Sequence, residues 1–142
     1  MNESNPPVRV LIHGVTGRMG QALLRLAAER DDIVVVAAVS RSQPSQRVVD
    51  GVPHFAAAEL PGVPPFDVAI DFSLPQGFDA ILDLCAHRGA ALVSGTTGLE
   101  DAQRHALDSA AGRIALLWAA NFRLGVAVLS GLVEGAARAL PG

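Results

Sequence analysis

Lysine is missing from this chain: all eleven basic residues are arginine, and they are scattered along its length. Against fourteen acids they leave a formal net charge of −3, which argues against a nucleic-acid surface. Cysteine is nearly missing as well. The single Cys85 cannot close an internal disulfide, and no apolar secretory segment precedes Val8, so the cytoplasm is the default compartment. Long apolar runs are absent. The longest, residues 33–39 and 114–120, fall far short of the ~20 residues that a helical membrane span needs. No metal site is expected, because His13, His54, His87 and His105 are dispersed and none stands at ligand spacing from Cys85 or from a second histidine. Neither a nucleophile–base pair nor a general acid is visible, so no catalytic residue is assigned.

What is present is apolar and orderly. Half of the residues are hydrophobic and only 18% are charged, the composition of a folded globular chain. At 142 residues it is one domain's worth, able to bury roughly two-thirds of its unfolded surface.

The chain is organised around residues 8–20, V-R-V-L-I-H-G-V-T-G-R-M-G. A short apolar strand runs into Gly14, Gly17 and Gly20 and then into a helix. Such a turn lets backbone approach a diphosphate, and the first free N–H groups of the helix point at its charge. The spacing is G-x-x-G-x-x-G rather than the commoner G-x-G-x-x-G, so the weight lies in the strand–turn–helix context. A plain tight connection without a ligand is the alternative.

Residues 1–7 read as a polar leader with two prolines. Strands are expected at 8–13, 33–39, 67–72, 90–94 and 114–118, with at most a short one near 52–55 in an otherwise irregular 48–65. Helices are expected at 18–30, after Pro75, at 100–111 and at 124–140. In the first, Met19, Leu23, Leu26 and Ala27 share a face, and in the second Phe78, Ile81, Leu82 and Cys85 do. Strand and helix alternate, so the expected fold is α/β: a doubly wound, Rossmann-like parallel sheet with helices on both faces.

In such sheets ligands bind beyond the carboxyl ends of the strands. Those ends are Gly14-Val15-Thr16-Gly17, Ser40-Arg41, Phe72-Ser73, Gly95-Thr96-Thr97-Gly98 and Ala119-Ala120-Asn121-Phe122. Small, hydroxyl and amide residues recur at all five. An NAD-preferring site carries an acid after the second strand for the ribose 2′-OH. Here Ser40 and Arg41 stand there, and arginine's planar fork suits a 2′-phosphate, so NADPH is expected ahead of NADH. A solvated loop arginine is the competing reading. For G-T-T-G, a carboxamide or anion site competes with a plain turn. Asp71 reads as a structural acid at a strand end, Asn121 as a loop-fixing amide, and Cys85 as a small core residue.

Taken together, G-V-T-G-R-M-G at 14–20, D-F-S at 71–73, G-T-T-G at 95–98 and A-N-F-x-x-G-V at 120–126 resemble dihydrodipicolinate reductase (4-hydroxy-tetrahydrodipicolinate reductase) of lysine and diaminopimelate biosynthesis. The resemblance covers nearly the whole chain. It implies a nicotinamide-dependent oxidoreductase with a small dicarboxylate substrate, usually a homotetramer, with no nucleic-acid or membrane partner. Gly14, Val15, Thr16, Gly17, Arg18 and Met19 would cradle the diphosphate, and Arg41, beside Ser40, would meet the 2′-phosphate. Phe72, Ser73, Gly95, Thr96 and Thr97 belong to the same cofactor set, as do Ala119, Ala120, Asn121 and Phe122. Thr97 would also lie near the substrate carboxylates.

Two departures stand out. The family usually carries Ser after A-N-F and Asn after the following G-V, where this chain has Arg123 and Ala127. Its second domain, with a His-His-x-x-Lys segment and a Ser-Gly-Thr turn, has no counterpart before Gly142. The expected organisation is therefore a dinucleotide-binding domain at 8–123 and, at 124–142, a helix leading toward a substrate and tetramer domain. These residues alone are expected to bind NADPH weakly, without completing the reaction. The alternative is a non-catalytic NADPH-binding module or a degenerate fragment, to which Arg123, Gly131 and Gly135 would point.

Overall fold

A computed structural model describes residues 6–118. Seven strands form one sheet: β1 Val8–His13, β2 Ile33–Ser40, β3 Val48–Val49, β4 Val52–Ala56, β5 Val68–Asp71, β6 Ala91–Ser94 and β7 Leu116–Trp118. Their spatial order is β3-β4-β2-β1-β5-β6-β7. Three helices connect them, α1 Arg18–Ala28, α2 Pro75–Arg88 and α3 Asp101–Ala110, together with a 3-10 turn at Ala57–Gly62. Every pair from β4 through β7 is parallel, as the alternating pattern predicts. None of the helices described is long and apolar enough to cross a membrane.

Alternation along each strand divides the core into two layers. Val10, Ile12, Val68, Ile70 and Val93 face α1, where Leu23 and Ala27 are buried. Leu11, Ala69 and Leu92 face the other way, onto Phe78, Ile81, Leu82 and Cys85 of α2. Burying a side chain such as Phe78 or Leu82 contributes about 1.5–3 kcal/mol, and α2 presents the face that its periodicity predicts. Proline stands at the first position of α2, and Gly89, at φ 69°, caps its end.

Three expectations need correction. The seam of α1 runs through the buried Gly20, Leu23 and Ala27, with the half-buried Leu24 packed against their cluster, whereas Met19 and Leu26, also half-buried, are not part of it. Spacings of three, one and three define the inner stripe, and glycine occupies its tightest point. The sheet is also not wholly parallel. β3 pairs antiparallel with β4 through a two-residue turn, Asp50-Gly51, with both residues at positive φ. Asp-Gly is a favoured sequence for that hairpin turn, and it lies inside the stretch expected to be irregular. The last strand is shorter than expected, beginning at Leu116.

Candidate cofactor site

The parallel strands end along one edge, and their register sets the ends side by side: His13 opposite Asp71, Asp71 opposite Ser94, and Ser94 opposite Trp118. The predicted turns at Gly14, Phe72 and Gly95 leave from this row, and Ser40 follows Val39, the partner of His13 in β2.

The first turn is built against its neighbours. Gly14 and Val15 donate their N–H groups to the Val39 carbonyl at 2.9 and 3.1 Å, which ties the turn to the end of β2. Gly14 sits at φ 86°, and a Cβ there would lie 2.7 Å from the Phe72 carbonyl carbon and from the Ser73 nitrogen. The Gln21 amide donates to the Val15 carbonyl at 2.7 Å. Gly20 lets α1 close onto the turn, since a Cβ there would meet the Gly14 oxygen at 2.5 Å. Gly17 differs. It is exposed, has φ −76° and ψ 171°, and a Cβ there would meet only the Gly14 oxygen, at 3.7 Å.

Gly17 is also the N-cap of α1. No side chain caps this helix, and its first turn holds no acid. A glycine that neither the backbone nor packing requires, at a helix start left open to negative charge, fits the diphosphate of a dinucleotide. Beside it lies a cleft of about 540 Å³ lined by Thr16, Gly17, Arg18, Met19, Gln21, Ala22 and Arg25. A second cleft of about 630 Å³ shares Thr16, Gln21 and Arg25 and extends past Ser40 and Ser42 to Val52 and His54. Ser40 is buried, its hydroxyl donating to the Ser42 carbonyl at 2.9 Å, while Arg41 is exposed.

The turns after β5 and β6 meet at Asp71, which is fully buried. Its Oδ1 accepts from His13 Nδ1 at 2.8 Å, Ser73 Oγ at 2.6 Å and Ser73 N at 3.1 Å. Its Oδ2 accepts from Ser94 Oγ at 2.8 Å and Thr96 Oγ1 at 2.7 Å. An ionised carboxylate only accepts, so His13 carries its proton on Nδ1. Burial alone raises the Asp71 pKa. The bond from His13, its facing ring and the bonds from Ser73 and Thr96 outweigh that and hold it below the ordinary 3.8.

Thr96 is therefore turned inward. Its hydroxyl lies 3.0 Å from the Ser73 carbonyl, and its own carbonyl accepts the Trp118 indole N–H at 2.8 Å. Thr97, next along, is exposed. The structure thus gathers Gly14 to Met19, Phe72, Ser73 and residues 95–97 on one edge beside Ser40 and Arg41. The predicted Ala119, Ala120, Asn121 and Phe122, the departures Arg123 and Ala127, and the last helix lie outside the described residues. Cys85 is a core residue as expected, with burial first and then the Asp71 charge pushing its thiol up to about 12.

Sequence reasoning missed Gln21 and Arg25, although their spacing of three and seven from Arg18 puts all three on one helical face. It missed the pairing of His13 with Asp71 too. The available signal was that both close parallel strands immediately before a turn of small residues.

The family model described as dihydrodipicolinate reductase, N-terminus, matches residues 8–122. The 4-hydroxy-tetrahydrodipicolinate reductase of Stenotrophomonas maltophilia (strain R551-3) is 66% identical over 143 aligned residues, covering all of this chain and 59% of that protein. Its counterpart from Xanthomonas campestris pv. campestris (strain B100) is 70% identical over 136 residues, 96% of this chain and 57% of the relative. The chain thus spans under three-fifths of the length of these relatives. A dipicolinate-bound dihydrodipicolinate reductase from Paenisporosarcina sp. TG-14 shares the fold, with a TM-score of 0.68, 24% identity, and coverage of 92% of this chain and 54% of that one. The chain belongs to the dihydrodipicolinate reductase family, and residues 8–122 correspond to its N-terminal part.

Proposed function

We propose that these residues form the cofactor-binding domain of an NADPH-preferring 4-hydroxy-tetrahydrodipicolinate reductase of lysine and diaminopimelate biosynthesis. The observation that carries the reading is the open glycine N-cap of α1, next to a strand end that offers Ser40 and Arg41 in place of an acid. Gly14 to Met19 enclose the diphosphate: the N–H groups of Gly14 and Val15 tie the turn to Val39, and those of Arg18 and Met19, in the first turn of α1, are the donors to the phosphates. Arg41 meets the 2′-phosphate as a charged, planar donor. Phe72, Ser73, residues 95–97 and residues 119–122 border the nicotinamide, and Thr97 extends toward the substrate carboxylates.

When bound, the reduced nicotinamide supplies a hydride to the cyclic imine of the substrate. The chain's own contribution is to position that cofactor and to exclude water along the strand ends. Proton delivery, substrate clamping and tetramer assembly are assigned to groups beyond these residues.

Thermal unfolding with and without nucleotide tests the proposal. Binding to the native state alone stabilises by about 2.7 kcal/mol when the ligand is at 100 times its Kd. The proposal requires a rise in Tm with NADPH and a smaller rise with NADH at equal concentration. Equal Tm values in both nucleotides and in buffer overturn it.

A further inference from the structure

Asp71 has no place in the cofactor contacts, yet its two oxygens are divided between the two halves of the site. Oδ1 serves the glycine turn: it accepts from His13, the residue before Gly14, and from the Ser73 backbone, against which Gly14 packs. Oδ2 serves the next turn, accepting from Ser94 and Thr96 on either side of Gly95. The main chain repeats the link, with Phe72 N donating to the His13 carbonyl at 2.9 Å and Gly95 N to the Asp71 carbonyl at 2.7 Å. Thr96 then passes the connection outward, because its carbonyl is held by the Trp118 indole at the end of the neighbouring strand.

We propose that Asp71 is a positioning residue that holds the Gly14 turn and the turn at 95–97 in one geometry, so that a single buried carboxylate sets the spacing between the diphosphate and nicotinamide ends of a bound dinucleotide. The proposal rests on the cofactor reading above for its functional half. Its structural half, the coupling of Asp71 to Thr96 and Trp118, stands without a ligand. Asparagine at position 71 would keep the shape and offer one acceptor oxygen in place of two. Its NH2 group donates where one carboxylate oxygen accepted, so the Ser94 and Thr96 hydroxyls must reverse to accept, and the charge-assisted bonds to both turns are lost. A carboxylate that only terminated β5 would tolerate that change, since neither turn would depend on it.

The chain contains a single tryptophan, so Trp118 fluorescence reports the far end of this network without interference. The experiment compares the wild-type 142-residue chain with Asp71→Asn, Thr96→Val and Thr96→Ser. Far-UV circular dichroism establishes that each is folded. Trp118 emission, its quenching by acrylamide, and NADPH affinity are then measured. Asp71→Asn and Thr96→Val are expected to shift Trp118 emission to the red and raise its quenching, whereas Thr96→Ser, which keeps the hydroxyl, restores both.

Loss of one hydrogen bond to a charged group corresponds to roughly a tenfold or greater change in an equilibrium constant, so NADPH affinity is expected to fall by about that factor in the first two variants. Unchanged Trp118 signals in folded Asp71→Asn or Thr96→Val overturn the coupling, whatever the nucleotide does. If Asp71→Asn does not fold, the Thr96→Val and Thr96→Ser pair decides the question alone. Altered Trp118 signals with wild-type NADPH affinity overturn the functional half. Failure of the wild-type chain to bind NADPH overturns the functional half together with the cofactor reading, and the Trp118 result still decides the coupling.

Discussion

A Cβ built on Gly20 would lie 2.5 Å from the Gly14 carbonyl oxygen and 2.6 Å from the Val15 Cα, so helix α1 and the glycine turn meet with backbone against backbone. No side-chain rotation relieves that contact. Gly20→Ala must push the helix off the sheet edge, and overpacking of this kind costs roughly 1–3 kcal/mol. The expected outcome is a chain that unfolds at lower denaturant with an unchanged m value. A wild-type midpoint in Gly20→Ala would contradict the packing described.

Arg41 is exposed at the end of β2, beside the buried Ser40. If it grips a 2′-phosphate, Arg41→Ala removes a charge-assisted contact worth about 1.5–3 kcal/mol, roughly 10- to 100-fold in affinity. NADH carries no such phosphate and should bind the variant as it binds the wild type. The check is paired titration with both cofactors. Equal losses for NADPH and NADH would assign Arg41 to the fold and not to cofactor choice.

Acid should loosen the edge of the sheet in a predictable window. The Glu59 carboxylate accepts both terminal guanidinium nitrogens of Arg47 at 2.7 and 2.9 Å and the Ala56 N–H at 2.8 Å. These contacts, Arg47 first, lower its pKa from 4.5 to about 2. A carboxylate depressed in the folded state adds stability that is fully present above its unfolded value and lost as pH falls through the folded one. The contribution of Glu59 should therefore be constant above about pH 5 and disappear between roughly pH 4.5 and 2. Tm measured against pH for wild type and Glu59→Gln checks this: the variant should show the shallower acid limb, and parallel curves would contradict it.

Most of the layout was legible because period and position agree. Phe78, Ile81, Leu82 and Cys85 recur at helical spacing, and all four are buried. Four of the strand ends could be named in advance because glycine or serine follows the apolar run within three residues, at Gly14, Ser40, Ser73 and Ser94. The failures have separate physical causes. Apolar spacing placed Met19 and Leu26 on the inner face of α1, whereas close approach to the turn selects Gly20, which carries no apolar signal. The Asp50-Gly51 hairpin was hidden among four prolines, although two consecutive residues at positive φ are what that dipeptide favours. The carboxylate network required strand register. His13 and Asp71 are 58 residues apart, and only the parallel pairing of β1 with β5 sets them opposite each other.

The central claim is that the open N-cap of α1 receives a dinucleotide diphosphate, and Gly17 tests it most directly. Its backbone suits any residue, and serine there would cap the helix that now lacks a cap. For stability alone serine is the better choice by a few tenths of a kcal/mol. Isothermal titration of the wild-type chain and Gly17→Ser with NADPH therefore separates fold from function. The account predicts saturable one-to-one binding by the wild type, together with a Gly17→Ser chain that melts at least as high and binds NADPH at least about tenfold more weakly. Wild-type affinity in Gly17→Ser, or no heat of binding in either chain, would contradict it.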